Sequence, residues 1–236
     1  MDGKLERLAL VLSEKQIEKL NKSKVLVVGI GGVGGYVCES LARSGIGELV
    51  IVDNDKVAIS NINRQIIATK NTIGISKVIA MKNRIEEISD TKVTTIEAFY
   101  DSDSNFIDDS YDYIVDACDT ISAKIELIKC AKKLNIKHIT SMGMANRFDP
   151  SLIKRMDLSK TTNDPLAKVM RKLVKDHKIR GKIDVVCSLE LPYKQNKLIN
   201  PNGKTMKEKY PPASNAFVPC SAGLLIGSIV LKELIK

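Results

Sequence analysis

The residues able to do chemistry in this chain are a glycine cluster, two acidic positions, an arginine and a lysine. Gly29-Ile30-Gly31-Gly32-Val33-Gly34 has the G-x-G-x-x-G form and follows the apolar run Val25-Leu26-Val27-Val28. Glycines placed so let the backbone approach a phosphate or ribose, and the N-terminus of a following helix favours an anion. Asp53 closes a second apolar run, Leu49-Val50-Ile51-Val52, where a carboxylate can hydrogen-bond a ribose diol. The pair points to an adenine nucleotide and leaves NAD and ATP both open.

The loop after Asp53 separates them. It carries Asp55, Ser60, Asn61, Asn63, Arg64 and Gln65, and Lys77 follows in Gly74-Ile75-Ser76-Lys77. Hydride transfer gives no reason for these residues. A reaction at a triphosphate does, because Arg64 and Lys77 would neutralise charge that builds up during attack at phosphorus. Asp119 lies just past a further apolar run, Tyr113-Ile114-Val115, where a carboxylate would hold the magnesium that accompanies ATP. Singly, Arg64 and Lys77 also read as surface charges and Asp119 as a helix cap; together with the glycine turn they read as one constellation.

The elements that must position these residues alternate in type. Strands are expected at Val25–Val28, Leu49–Val52, Val93–Ile96, Tyr113–Val115 and Ile136–Thr140, with helices over 33–44, 75–88 and 120–134 between them. That order predicts an α/β fold: a doubly wound, Rossmann-like, mainly parallel sheet with helices on both faces. Ser13-Glu14-Lys15-Gln16 has capping-box form and opens an N-terminal helix. Past Gly143 the pattern weakens. Asp164-Pro165 would begin a basic helix running to about Asp176, 184–191 a strand, and Ser221–Ile235 a closing helix. Pro201-Asn202-Gly203 and Pro211-Pro212 punctuate a long loop. The expected organisation is a helical arm over 1–22, a nucleotide-binding core over 23–150 and a basic C-terminal extension over 151–236.

Composition narrows the class. Of 236 residues, 44% are hydrophobic and 28% charged, which excludes a disordered chain. No apolar run approaches the ~18 residues of a membrane span, and the N-terminus lacks a signal-peptide core, so a cytoplasmic location is expected. Five scattered cysteines form no C-x-x-C pair and two histidines make no multi-histidine centre, which excludes a zinc site of either kind. His138 reads as a core or edge residue, and Cys187 as a buried strand thiol rather than a nucleophile. Residues 151–210 hold 15 basic and 6 acidic side chains, whereas the rest of the chain is neutral against a net charge of +9. A local excess of that kind points to a polyanion. Lys168, Arg171, Lys172 and Lys175 fall at helical spacing and would present one cationic face.

The ordered motifs G-x-G-G-x-G, D-x-D-x-V-x-x-S-N-x-x-R-Q, G-x-x-K and D-x-x-D, spanning Val25 to about Met142, resemble the ubiquitin-activating-enzyme superfamily. That resemblance implies adenylation: a carboxylate attacks the α-phosphorus of ATP, giving an acyl adenylate and pyrophosphate. By position it implies a nucleotide site of Gly29, Gly31, Gly32, Gly34, Asp53, Asp55, Ser60, Asn61, Asn63, Arg64, Gln65, Lys77 and Asp119. It also implies a homodimer in which Arg7 reaches the partner's ATP. Sulfur-carrier activators of the superfamily usually carry two zinc-binding C-x-x-C pairs, absent here. The second half instead resembles the branch that dehydrates threonylcarbamoyladenosine in tRNA, through Ser141–Asn146, Asp157–Thr161, Asp164–Lys168 and Pro211–Pro219. For that branch the implied substrate is a threonyl carboxylate beside the tRNA anticodon. The second step would be intramolecular closure with loss of AMP, which proximity makes possible without an enzyme thiol. Activation of a ubiquitin-like sulfur carrier is the alternative, and a docked sulfur-transfer protein is a further partner the resemblance leaves open.

Overall fold

Ser13 starts the first regular helix as expected: its hydroxyl accepts the Gln16 N–H while the Gln16 side chain returns to the Ser13 N–H, capping α1 (Glu14–Lys22). The computed structural model describes residues 3–196 and 212–236. Chain order then runs β1 (Lys24–Val28), α2 (Gly34–Arg43), β2 (Glu48–Val52), α3 (Lys77–Ile88), β3 (Lys92–Ile96), β4 (Tyr113–Asp116), α4 (Ile121–Lys133) and β5 (Lys137–Ser141). It ends with β6 (Ile153–Asp157), α5 (Pro165–Asp176), β7 (Asp184–Ser188) and α6 (Val218–Leu234).

Among the described residues the strands form one sheet, ordered β3-β2-β1-β4-β5-β7-β6 and parallel except for β6. The chain winds outward from β1 to β3, then returns to β4 beside β1 and winds the other way. Carboxyl ends of β1 and β4 therefore diverge into a crevice, the switch point at which open α/β sheets take their ligands. Strand alternation sorts the core. Val25, Val27, Leu49, Ile51 and Val115 pack beneath α2, α3 and α6, whereas Leu26, Val28, Val50, Val52 and Ile114 pack against the face covered by α4. A third cluster joins α4 to α5 and β7. Gly223 and Gly227 of α6 lie so close to Val33 and Ser40 that a Cβ at either would collide, which lets α6 lie directly on α2.

The structure departs from expectation mainly after Gly143. Residues 153–157, Ile-Lys-Arg-Met-Asp, form an antiparallel edge strand that was not expected; its polar side chains face water, so it has no apolar period to read. The strand expected over 184–191 ends at Ser188, and Leu191 beyond it is 70% exposed. The closing helix begins earlier, at Val218, with Pro219 in its first turn. Strands β6 and β7 continue the same sheet, and α6 shares its core with β1 and β2. The expected punctuation at Pro201-Asn202-Gly203 and Pro211 lies outside the described residues. No helix among the described residues is long and apolar enough to cross a membrane.

One buried charge ties α2 to α3. Glu39 accepts from Arg84 Nε at 2.7 Å and Nη2 at 3.0 Å, and from Arg43 Nε at 2.7 Å. Burial alone would raise its carboxyl, but the two guanidinium groups outweigh burial and hold it below the ordinary range. Glu39→Ala should cost about 2 kcal/mol at neutral pH. Because the folded value is lowered, this contribution is whole above the unfolded value of 4.5 and is lost as pH falls through the folded one. Denaturant titrations of both proteins from pH 7 to pH 3 should show the difference closing in that acid range, and a constant difference would refute the linkage.

Candidate functional site

The glycine turn is dictated by space. Gly29 sits at φ +92°, and a Cβ there would lie 2.7 Å from the Cys118 nitrogen. A Cβ on Gly34 would fall 1.8 Å from the Gly29 carbonyl oxygen. Gly29, Gly31 and Gly32 line a crevice of about 540 Å³ above β1 and β4. Gly34 does not line it; it seats the first turn of α2 against the turn behind, a packing role within the expected set. No side chain caps α2, so its N-terminus is open to an anion in the crevice.

Asp53 and Lys77 line this crevice side by side. One Asp53 oxygen accepts the Ile30 N–H at 2.6 Å and the other the Asp55 N–H at 2.9 Å, so the carboxylate also braces the loop. Burial pushes the Asp53 carboxyl up, against the opposing pull of Lys77. Lys77, the first residue of α3, is buried and donates to Asp55 at 2.7 Å, with Asp53 at 3.8 Å. To meet a phosphate, its ammonium exchanges or shares these carboxylates.

The loop after β2 delivers the polar residues on a short turn, Ile59–Asn61, whose Asn61 side chain accepts the Ala58 N–H at 3.0 Å. Asn61, Arg64 and Gln65 line the crevice. The Gln65 Oε1 is buried without a hydrogen-bond partner, which marks a polar atom that a ligand donor would satisfy. Arg64 Nη1 donates to the Ser60 carbonyl at 3.0 Å and to Asn63 Oδ1 at 2.9 Å, which sets its direction. Ser60 and Asn63 do not line the crevice themselves. Ser60 contributes its carbonyl, and Asn63 holds Arg64 and the Ser214 carbonyl.

Asp119 lines the opposite wall, past β4. A second cavity of about 600 Å³ opens beside the crevice, walled by Ile121, Met142, Leu166 and Val169. Arg64 and Asp119 line both spaces and stand at their seam. Among the described residues no group of three or more His, Cys, Asp and Glu side chains is placed to hold a metal ion. A lone carboxylate at Asp119 fits a magnesium ion that arrives on nucleotide phosphates, and does not fit a cation held by the chain alone. Cys118 beside it is pushed up by burial and is not a nucleophile.

Several important groups gave no sequence signal. Lys124, in mid-helix, reads as surface but is fully buried, with its ammonium 3.0 Å from Asp116 Oδ1 and 2.8 Å from the Ser141 carbonyl. It fastens α4 and β5 beneath the turn carrying Asp119. Arg147 is equally hidden and donates to the carbonyls of Gly143, Ala145, Asn163 and Glu190. Ala98, Phe99 and Tyr100 form a crevice wall whose available signal was position, just past the carboxyl end of β3.

Other expected residues lie away from the crevice. Lys168, Lys172 and Lys175 are exposed on α5, but Arg171 turns inward and donates to the Thr161 carbonyl and hydroxyl, so the expected cationic face presents three charges. Arg7, exposed before a short turn at Leu8–Leu10, does not reach the crevice of its own chain. Cys187 is buried in β7, and burial pushes its thiol up to about 12. His138 is half-buried in β5.

Comparison with known proteins agrees with this geometry. Residues 4–189 match the sequence profile of the ThiF family. The chain is 41% identical over 235 residues to the tRNA threonylcarbamoyladenosine dehydratase of Bacillus subtilis, covering 96% of this chain and 92% of that one. The Escherichia coli tRNA N6-threonylcarbamoyladenosine dehydratase in complex with AMP superposes with a TM-score of 0.85 at 32% identity, covering 96% and 92% of the two chains. The same enzyme in complex with ATP gives a TM-score of 0.84 at 30% identity, covering 98% and 93%.

Proposed function

Since the chain belongs to the ThiF family, we infer that it is an ATP-dependent adenylating enzyme acting as a tRNA threonylcarbamoyladenosine dehydratase. The single observation that carries this reading is the placement of Arg64 and Asp119 at the seam between the glycine-turn crevice and the adjoining cavity. ATP lies in the crevice, the modified nucleoside in the cavity, and the reacting atoms meet between them.

The threonyl carboxylate attacks the α-phosphorus, the bond to the β-phosphate oxygen breaks, and pyrophosphate leaves. A nucleophilic atom of the same threonylcarbamoyl group then attacks the activated carboxyl carbon. AMP departs with one former carboxylate oxygen, a proton is released, and the ring closes with net loss of water. The glycine turn and the α2 N-terminus hold phosphate oxygens, Asp53 the ribose, and Gln65 offers its unpaired oxygen to a nucleotide donor. Arg64 and Lys77 stabilise charge as it develops on phosphorus oxygens. Magnesium bound with the nucleotide beside Asp119 would screen the triphosphate charge. Arg7 completes the site of a partner subunit in a homodimer. Lys168, Lys172 and Lys175 attract the RNA backbone from α5. A cytoplasmic location fits such a substrate.

The test measures AMP and pyrophosphate formation by the purified protein, comparing threonylcarbamoyl-bearing tRNA with ubiquitin-like sulfur-carrier proteins and with no acceptor. AMP formation with tRNA alone is expected. Stimulation only by a carrier protein would overturn the substrate and favour the sulfur-carrier alternative. For the basic helix, Lys168→Glu/Lys172→Glu/Lys175→Glu should weaken tRNA binding and reduce the slope of log affinity against log salt by about 2–3. An unchanged slope removes α5 from the RNA surface.

A further inference from the structure

Four aromatic side chains are exposed among the described residues, Phe99, Phe148, Tyr193 and Phe217, and two of them pair beside the site. Phe148 is 55% exposed and Tyr193 60% exposed, and their rings meet edge to face with centroids 5.3 Å apart. They come from separate loops, one after β5 and one after β7, yet both are fastened. The Tyr193 N–H donates to the Asn146 carbonyl at 2.7 Å, and the Phe148 N–H donates to the Glu190 carboxylate at 3.0 Å. Arg147 between them is buried in four backbone carbonyls, and its own carbonyl accepts Asn215 Nδ2 at 2.7 Å. Water-exposed rings on a fixed frame keep apolar faces available at little ordering cost.

Their location says what would cover them. The rings border a cavity of about 530 Å³ whose walls include the exposed side chains of Lys194 and Asn196. Ser214 lines this cavity, the seam cavity and the nucleotide crevice alike, and its carbonyl accepts Asn63 Nδ2 beside Arg64. Pro165, Leu166 and Val169 on the other side of the seam cavity belong to α5, which exposes Lys168 and Lys172. An exposed ring face with Lys194 on the wall of the same cavity matches an unpaired nucleobase on a charged backbone.

We propose that the edge-to-face pair Phe148 and Tyr193 stacks an unpaired base flanking the reacting nucleoside of the tRNA anticodon loop, on a ring face the pair leaves open, with the other ring bracing it. The proposal rests on the tRNA reading above and adds the pair as positioning residues. They hold the loop so that the nucleoside's carboxylate reaches the seam, and they touch no reacting atom.

The experiment compares the wild type with F148A/Y193A, F148L/Y193L and F148Y/Y193F, using threonylcarbamoyl-bearing tRNA. It reads steady-state AMP release, tRNA binding by fluorescence anisotropy at several salt concentrations, and molecular mass by sedimentation. Removing both rings should raise Kd and KM for tRNA about tenfold to a hundredfold. KM for ATP should stay within about twofold, and the salt slope should not change because no cation is lost. The aromatic exchange should behave as wild type. If the alanine pair fails to fold, the leucine pair, which keeps apolar volume without a π face, decides by the same criterion. Wild-type tRNA affinity in the ring-less variants would overturn the proposal. So would a loss of affinity accompanied by a fall in molecular mass, which would assign the pair to a contact between two copies. If the wild type itself forms no tRNA-dependent AMP, the enzymatic reading fails, while the binding comparison still decides whether the rings hold RNA.

Discussion

Arg64→Ala is expected to lower the rate of AMP formation in a single turnover by about a hundredfold to a thousandfold. The guanidinium stands at the seam of two cavities, already aimed by the Ser60 carbonyl and Asn63 Oδ1, so its placement costs no reorganisation during reaction. Negative charge on the phosphoryl oxygens grows as the carboxylate attacks, and a fixed donor there lowers the barrier more than it tightens the ground state. KM for ATP should therefore change by less than about tenfold. Arg64→Lys keeps the charge but loses the planar fork, and should recover only part of the rate. An unaltered single-turnover rate in Arg64→Ala would reject the assignment.

The second large effect concerns stability. Lys124→Met leaves Asp116 buried without its cation; Asp116 Oδ2 already lacks a partner, and Oδ1 keeps only the Cys118 N–H and thiol. Breaking a buried pair from one side costs about 3–5 kcal/mol, a large share of the ~5–15 kcal/mol that holds a typical domain. For a chain of this size that is roughly 10 °C of melting temperature. Removing both charges in Asp116→Leu/Lys124→Met should restore most of the loss, because the penalty belongs to the stranded carboxylate. Urea unfolding of the single and double variants checks both statements. A single variant as stable as wild type would contradict the burial argument.

Legibility in the sequence followed physical form. Strands β1, β2 and β4 are continuous apolar runs because both sheet faces are covered, and such runs stand out beside a glycine turn. Strand β6 did not stand out, since Lys154 and Arg155 face solvent at an edge. Of the crevice residues, Asp53 and Asp119 were readable from their places at strand ends, Arg64 and Lys77 from the chemistry of cations following a glycine turn, and Asn61 and Gln65 through the loop motif of the family resemblance. What they rest on was not. Lys124 and Arg147 are charged types that read as surface, and only tertiary structure shows them sealed against carbonyls. Arg171 shows the reverse limit: helical spacing placed it with three lysines, but Thr161 draws it inward.

Oxygen tracing decides whether this crevice splits ATP between its α- and β-phosphates to activate a carboxylate carried by RNA. With tRNA whose threonylcarbamoyl carboxylate bears oxygen-18, each cyclised nucleoside should be matched by one AMP carrying one labelled oxygen, with unlabelled pyrophosphate. Label in inorganic phosphate, or ADP in place of AMP, would place the attack at another phosphorus and contradict that cleavage.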